Sequence, residues 1–360
     1  MSYILPLGPY HPALEEPVHV KLLTEGELIK DSEVFIGYNH RGIEKLTETR
    51  NYIQTITLVE RVCGICSHSH AMTYCLAVEK IAGMEVPKRG AYIRVILSEL
   101  ERLHSHYLWL GLAAHIVAFD SLFMMCFASR EKIMDMLEVI SGNRVNYAMN
   151  IVGGARRDIT NEQKETLIKM IADLRREYKD IYNVYAKDSS IAARTKGVGV
   201  LTKDDALNYG ACGPHGRASG VNFDVRKTMP YNCYEEFDFN VAIANDGDVF
   251  SRAVVRLIEI EESCKIIEQA LKNMPDGPIN LGNKIPRVPV GEGMVVTEAP
   301  RGEVTYYVVS NGGQTNGRVN IHVPTFKNAM TVPVMLKNNT IADAGLIVAS
   351  IDPCFSCLDR

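Results

Sequence analysis

Arg61-Val62-Cys63-Gly64-Ile65-Cys66 is the stretch on which the chain turns, because its meaning depends on a second, distant one: Asp352-Pro353-Cys354-Phe355-Ser356-Cys357-Leu358-Asp359-Arg360. Each holds a Cys-x-x-Cys pair. Such a pair offers two soft thiolates to one metal, and two pairs complete the four-sulfur shell that zinc, nickel or iron favours. For that shell to form, the fold must carry residue 354 back to residue 63. A structural zinc ribbon spaces its pairs ~15–20 residues apart, far closer than here. A thioredoxin-like redox pair needs a strand-helix-strand setting after the motif, which the following sequence lacks.

Composition narrows the partners. The 360 residues are 46% hydrophobic and 23% charged, the balance of an ordinary globular chain with one large core or two intimate domains. A net charge of -4 and a pI of 6.2 give no reason to expect nucleic acid or an anionic membrane surface. Nine cysteines, with no signal peptide at Met1-Ser2-Tyr3, lead to the expectation of a reducing cytoplasmic setting. Cys75, Cys126, Cys212, Cys233 and Cys264 read as core residues. The longest apolar stretch, Tyr107 to Ala128, contains His115 and Asp120 and is interrupted by Gly111. It reads as a buried helix at the centre of a bundle, not a membrane span.

Taken in order, residues 18–36 predict a small antiparallel sheet turning at Glu25-Gly26-Glu27. Before it, Gly8-Pro9-Tyr10-His11-Pro12 is an irregular loop leading to Glu15 and Glu16. Ile43, Leu46, Ile53, Ile56 and Val59 recur at helical spacing on the way to the first cysteine pair, where Gly64 allows a sharp turn. Ser67 to Ala82 predicts a helix closed by Gly83, with Cys66 at its N-terminus, where the helix dipole stabilises a thiolate. Two long helices follow over 88–140, a third over 160–186 with Thr160 and Gln163 as a capping box, and a fourth from Asp248 to Met274. Cys212 to Pro230, with Arg217 and Arg226, reads as a polar, solvated loop with a docking role as the alternative. Thr305–Ser310 and Arg318–Val323 predict a hairpin with a glycine-rich tip, and Thr340–Ala349 a last apolar helix.

Together the Arg-x-Cys-Gly-Ile-Cys and Asp-Pro-Cys-x-x-Cys motifs, in that order, resemble the large subunit of nickel-iron hydrogenases. Gly8-Pro9-Tyr10-His11-Pro12, Gly37 to Lys45 and Leu100 to Gly111 narrow the resemblance to the energy-converting, Ech-type membrane hydrogenases and the carbon-monoxide-linked enzymes like them. The same segments are similar to the quinone-site subunit of respiratory complex I, which lacks the four cysteines. The resemblance spans nearly the whole chain. It implies a mainly helical α+β fold: a central buried bundle, a small N-terminal antiparallel sheet and a C-terminal hairpin. That is a single domain of the nickel-iron hydrogenase large-subunit type over 1–360, with a sheet and proton-path loop (1–42), helical core (43–280) and metal-binding tail (281–360).

By matching positions, the resemblance implies that Cys63 and Cys354 are terminal nickel ligands, and that Cys66 and Cys357 also bridge to an iron carrying carbon monoxide and cyanide. Cys354 and Glu16 would pass protons, Arg301 would stand beside the iron's diatomic ligands, and Glu44 would contact a magnesium or similar ion near the end of the chain. Arg360 departs from the usual histidine and has no lone pair for a cation, which sets an ordinary ion pair of Glu44 against the magnesium site. The implied activity is reversible reduction of protons to dihydrogen with electrons from reduced ferredoxin. The implied partners are a small hydrogenase subunit bearing an iron-sulfur cluster, a ferredoxin-like iron-sulfur subunit, ferredoxin itself and integral-membrane subunits that translocate ions. The chain would lie on the cytoplasmic face of the membrane, held by partners and with no span of its own. The alternative is a complex I-like quinone-site or scaffold subunit with structural zinc at the cysteines.

Overall fold

A computed structural model describes residues 2–12, 14, 16–282 and 287–360; Glu15 lies outside the described residues. The chain opens with strands β1 (Ser2–Leu7), β2 (His19–Glu25) and β3 (Leu28–Phe35), an antiparallel sheet in the order β1-β2-β3. The second and third strands were legible; β1 was not, because five of its six residues are exposed and it shows no alternation. Short helices α1 (Ile43–Thr47) and α2 (Tyr52–Glu60) then lead to α3 (Ser67–Ala82), which ends at Gly83 in the left-handed conformation.

The central bundle follows as α4 (Lys88–Ile116) and α5 (Asp120–Ser141), a two-residue ladder β4 (Asn150–Ile151) and β5 (Gly154–Ala155), then α6 (Asn161–Lys187). Thr160 and Gln163 form the expected capping box at the start of α6. The Tyr107–Ala128 stretch is not one helix: α4 stops at Ile116, Ala118 takes φ 61, and α5 restarts after Phe119. His115 and Asp120, both exposed and 2.8 Å apart, flank this reversal, which folds α5 back along α4.

Beyond α6 come α7 (Ser189–Thr195), α8 (Lys203–Asn208), α9 (Gly213–Ala218), α10 (Val225–Thr228) and the long α11 (Val249–Asn273). The Cys212–Pro230 segment is therefore not a solvated loop. Arg217 and Arg226 are 1% and 2% exposed, neutralised by acids from α4, α11 and the following sheet. Their charge is tolerated inside because each guanidinium is paired and hydrogen-bonded.

The C-terminal hairpin proves to be a three-stranded meander, β6 (Val288–Ala299), β7 (Gly302–Gly313) and β8 (Asn316–His322), packed against α3. Then α12 (Pro324–Ala329), α13 (Val332–Leu336), α14 (Ala344–Ser350) and α15 (Phe355–Asp359) bring the end of the chain home. What carries it there is α14 seated on α4 and α11, where Trp109 Nε1 donates to Ala349 O (2.8 Å) and Arg252 to Ser350 Oγ (2.9 Å). One apolar cluster fills the helical bundle. A second, made of the N-terminal sheet, α2, α3, the meander and the tail, surrounds all four paired cysteines.

Candidate metal centre

Cys66 caps the N-terminus of α3 and Cys354 caps that of α15, so each helix presents one pair at its positive end. The sulfurs of Cys63, Cys66, Cys354 and Cys357 are buried and lie within 4.8 Å of one another. Cys66 faces Cys357 at 3.3 Å, Cys63 faces Cys354 at 3.4 Å, and Cys354 and Cys357 are 2.9 Å apart. Cys63 Sγ accepts the N–H groups of Ile65 (3.2 Å) and Cys66 (3.4 Å), and Cys354 Sγ that of Cys357 (3.4 Å). Gly64 contributes no left-handed turn, and a side-chain carbon there would meet only Val145, at 3.6 Å. The first pair is shaped by those amide-to-sulfur bonds and not by glycine's freedom.

Four thiols so close cannot all ionise unless a cation joins them. Hydrogen bonds from Cys354, Cys357 and Cys66, aided by the charge of Arg301, hold Cys63 well below the usual thiol range. Burial, with the neighbouring sulfurs, pushes Cys357 well above it. A metal entering this shell would displace the remaining protons, the ordinary coupling between thiolate ligation and proton release.

Arg301 sits in the turn joining β6 to β7 and is 6% exposed. Its Nε donates to Asp352 O (2.9 Å) and its Nη2 meets Asp352 Oδ1 (2.8 Å), while Nη1 has no partner among the described residues. Asp352 takes φ 55, rare for a residue with a side chain, and the ion pair holds it there. Gly213 makes this arrangement possible: at φ +65, a side-chain carbon on it would stand 2.3 Å from Arg301 O. From the other side Arg102 donates to Glu298 O (2.7 Å) and Ala299 O (3.1 Å), fixing the end of β6.

Glu16 lies against the first turn of α15. Its carboxylate accepts the N–H groups of Phe355 and Ser356 and the Ser356 hydroxyl (2.7 Å). Glu44 stands apart, on Arg360 Nε (2.7 Å), Arg318 Nη2 (2.8 Å) and Ile321 N (3.0 Å). Two residues near the cage, one at a sulfur and one at the start of α3, escaped the sequence reading. His70 Nε2 is 3.4 Å from Cys357 Sγ and its Nδ1 2.8 Å from Tyr306 Oη, and burial lowers its pKa to about 4, so the ring is neutral. Its position four residues after Cys66, one turn along a helix, was the signal. Glu101, on α4, accepts from His68 N (2.6 Å), Ser69 N (3.0 Å) and the Ser69 hydroxyl, and so caps α3 as Glu16 caps α15. Burial pushes its pKa up to about 8.

A buried cage of four cysteine sulfurs at two helix N-termini, with a buried guanidinium in the neighbouring turn, is a candidate metal centre. The nickel-dependent hydrogenase family profile matches residues 41–121, and that of the respiratory-chain NADH dehydrogenase 49 Kd subunit matches residues 117–285 and 280–360. The chain belongs to this family, which joins nickel-iron hydrogenase large subunits to the corresponding subunit of complex I. It is 44% identical over 360 residues to the carbon monoxide-induced hydrogenase of Rhodospirillum rubrum, covering 100% of this chain and 99% of that one. It is 42% identical over 371 residues to the membrane-bound hydrogenase subunit alpha of Pyrococcus furiosus (99% and 87% covered). It is also 40% identical over 364 residues to a component of the F(420)H(2) dehydrogenase of Methanosarcina mazei (99% and 97%).

Proposed function

We propose that this chain is the catalytic subunit of a membrane-associated, energy-converting nickel-iron hydrogenase. It would reduce protons to dihydrogen, reversibly, with electrons from reduced ferredoxin, coupled to ion translocation by membrane subunits. The observation that carries this reading is the convergence of Cys63, Cys66, Cys354 and Cys357 within 4.8 Å inside the core. Relatives with similar overall identity include a component of a dehydrogenase as well as hydrogenases, so the donor set, and not identity, decides.

The residues fit the group. Soft sulfur donors suit nickel, and Cys66 and Cys357, whose sulfurs lie 3.3 Å apart, would be the pair to hold the second metal as well. The Nη1 of Arg301, buried and without a partner among the described residues, would be satisfied by an acceptor on the bound group, such as iron-bound cyanide. When bound, the nickel-iron group, its iron carrying carbon monoxide and cyanide, supplies the site of hydrogen cleavage and electron exchange. The protein's part is protonic and electrostatic. The Cys354 thiolate would take the first proton, Glu16, whose carboxylate lies against the first turn of α15, would receive it next, and Arg301 would hold a permanent positive charge beside the centre.

Among the described residues the four cysteines are the one group able to hold a metal, so electrons are assigned to an iron-sulfur relay on a neighbouring small subunit. No described helix is long and apolar enough to cross a membrane, so attachment is assigned to integral-membrane partners, with the chain on the cytoplasmic face. Elemental analysis with infrared spectroscopy of the purified complex tests the reading. Roughly stoichiometric nickel and iron, with bands from iron-bound carbon monoxide and cyanide, support it; zinc without those bands would replace it with a scaffold or quinone-site subunit.

A further inference from the structure

We propose that guanidinium groups, and not a divalent cation, lock the two cysteine pairs together, and that Gly37 to Lys45 is the clasp through which they do so. The inference rests on reading the four cysteines as one metal site. Its centre is Arg41. One nitrogen, Nη2, donates to Val62 O and to Ser356 O, both at 2.8 Å, while Nη1 donates to Arg61 O at 3.1 Å. Val62 immediately precedes Cys63 and Ser356 immediately precedes Cys357, so a single guanidinium joins the backbone of both motifs. A planar, permanently charged fork can span two carbonyls in this way; a lysine ammonium is a point charge without that geometry.

The rest of the segment grips the same helix. Gly37 N and Asn39 N donate to the Asp359 carboxylate at 3.0 and 2.9 Å, His40 Nδ1 lies 2.8 Å from Asp359 O, and Arg41 N donates to Arg360 O at 3.2 Å. Glu44 closes the clasp on Arg360 Nε, and Arg318 from β8 takes its second oxygen. A magnesium ion wants about six oxygen ligands at roughly 2.0–2.1 Å. Here the Glu44 carboxylate already accepts from two guanidinium groups and the Ile321 amide, Glu48 is paired with Lys45 and Arg318, and Asp359 is turned toward the amides of residues 37 and 39. The donors pointing at Glu44 are cations and N–H groups, which repel a metal. The residues therefore do not fit the magnesium ion that the family resemblance implies at this position, and the arginines fill the role of a cation.

The test uses the purified enzyme complex, before and after treatment with EDTA, and reads three things: magnesium content, nickel retention, and alkylation rates of Cys354 and Cys357 by iodoacetamide. The expected result is no stoichiometric magnesium and an alkylation rate unmoved by EDTA or added magnesium. Arg41→Gln and Arg360→Gln should alkylate faster, by roughly three- to thirtyfold, the scale of losing charge-assisted hydrogen bonds that are partly exposed. Arg41→Lys and Arg360→Lys, which keep the charge and guard against gross misfolding, should fall between. Glu44→Gln combined with Arg360→Gln should be no faster than either alone, because both remove the same pair. Stoichiometric magnesium whose removal speeds alkylation of the unaltered complex would overturn the proposal, as would unaltered rates in both Gln variants. Alkylation needs no nickel, so an absence of nickel would sink the hydrogenase reading while leaving the clasp to be decided by these rates.

Discussion

Cys66 and Cys357 face each other across 3.3 Å, and what they can share depends on the softness of sulfur. If the two share the second metal as proposed, replacing either by Ser should abolish the bimetallic centre; normal nickel and iron in Cys66→Ser or Cys357→Ser would count against a bridging role. For Arg301 the conservative change is the informative one. Lysine keeps a charge but loses both the fork that holds Asp352 and the buried Nη1 that has no partner among the described residues, so Arg301→Lys should retain the metals and slow turnover by roughly ten- to a thousandfold. A metal-replete variant with full activity would remove Arg301 from the mechanism. Glu16 carries two duties, since the carboxylate assigned to the proton path also caps α15. Glutamine can keep an acceptor oxygen for that helix but cannot pass a proton. Glu16→Gln should therefore keep nickel, iron and the infrared bands while losing steady-state turnover and the exchange of deuterium gas with solvent. Exchange that persists in Glu16→Gln but fails in Glu15→Gln would shift the relay by one residue.

Among the elements, helices with strong punctuation were legible. Gly83, the Thr160 and Gln163 capping box and Asp248 mark ends that the fold keeps to within a residue. The Cys212–Pro230 segment was not, because its polarity belongs to an interior network in which Asp224 is local but Glu99, Glu259 and Glu298 lie far off in sequence. Arg217 meets Glu259 at 2.7 Å and Glu298 at 2.8 Å, and Arg226 meets Glu99 and Asp224. One sequence cannot pair residues so distant, so burial by mutual neutralisation leaves no local trace. The same holds for Glu101, which looks like any helix glutamate until α3 is seen to begin on it. Removing one member of such a network strands its partners. Arg217→Met, leaving Glu259 and Glu298 without their shared cation, should cost about 3–5 kcal/mol of stability. Denaturant unfolding would show it as a lowered midpoint, and an unchanged midpoint would mean that the network is solvated.

Over the whole molecule, the buried titratable groups around the centre pull stability in opposite directions as pH changes. Burial holds His68 and His104 neutral, with pKa lowered from 6.5 to about 3, whereas it raises Glu101 from 4.5 to about 8. Between pH 6.5 and 4.5 the unfolded chain takes up a proton at each histidine that the folded one refuses. Each histidine thus contributes stability that is present above pH 6.5 and lost as pH falls toward 3. Glu101 has the reverse sign: the folded chain binds its proton first, so between pH 8 and 4.5 acidification favours the fold. With one proton per site, each group sets a slope of about 1.4 kcal/mol per pH unit within its window. His104→Gln, which keeps an acceptor for Arg130, should flatten the decline of unfolding free energy between pH 6.5 and 4.5 by about that amount. Glu101→Gln should steepen it by about the same amount, because the opposing proton is gone. Urea titrations of the two variants beside the unaltered chain, taken at half-unit steps across this window, read the two slopes directly. Slopes that moved in the same direction would show that one of these groups keeps its ordinary ionisation inside the fold.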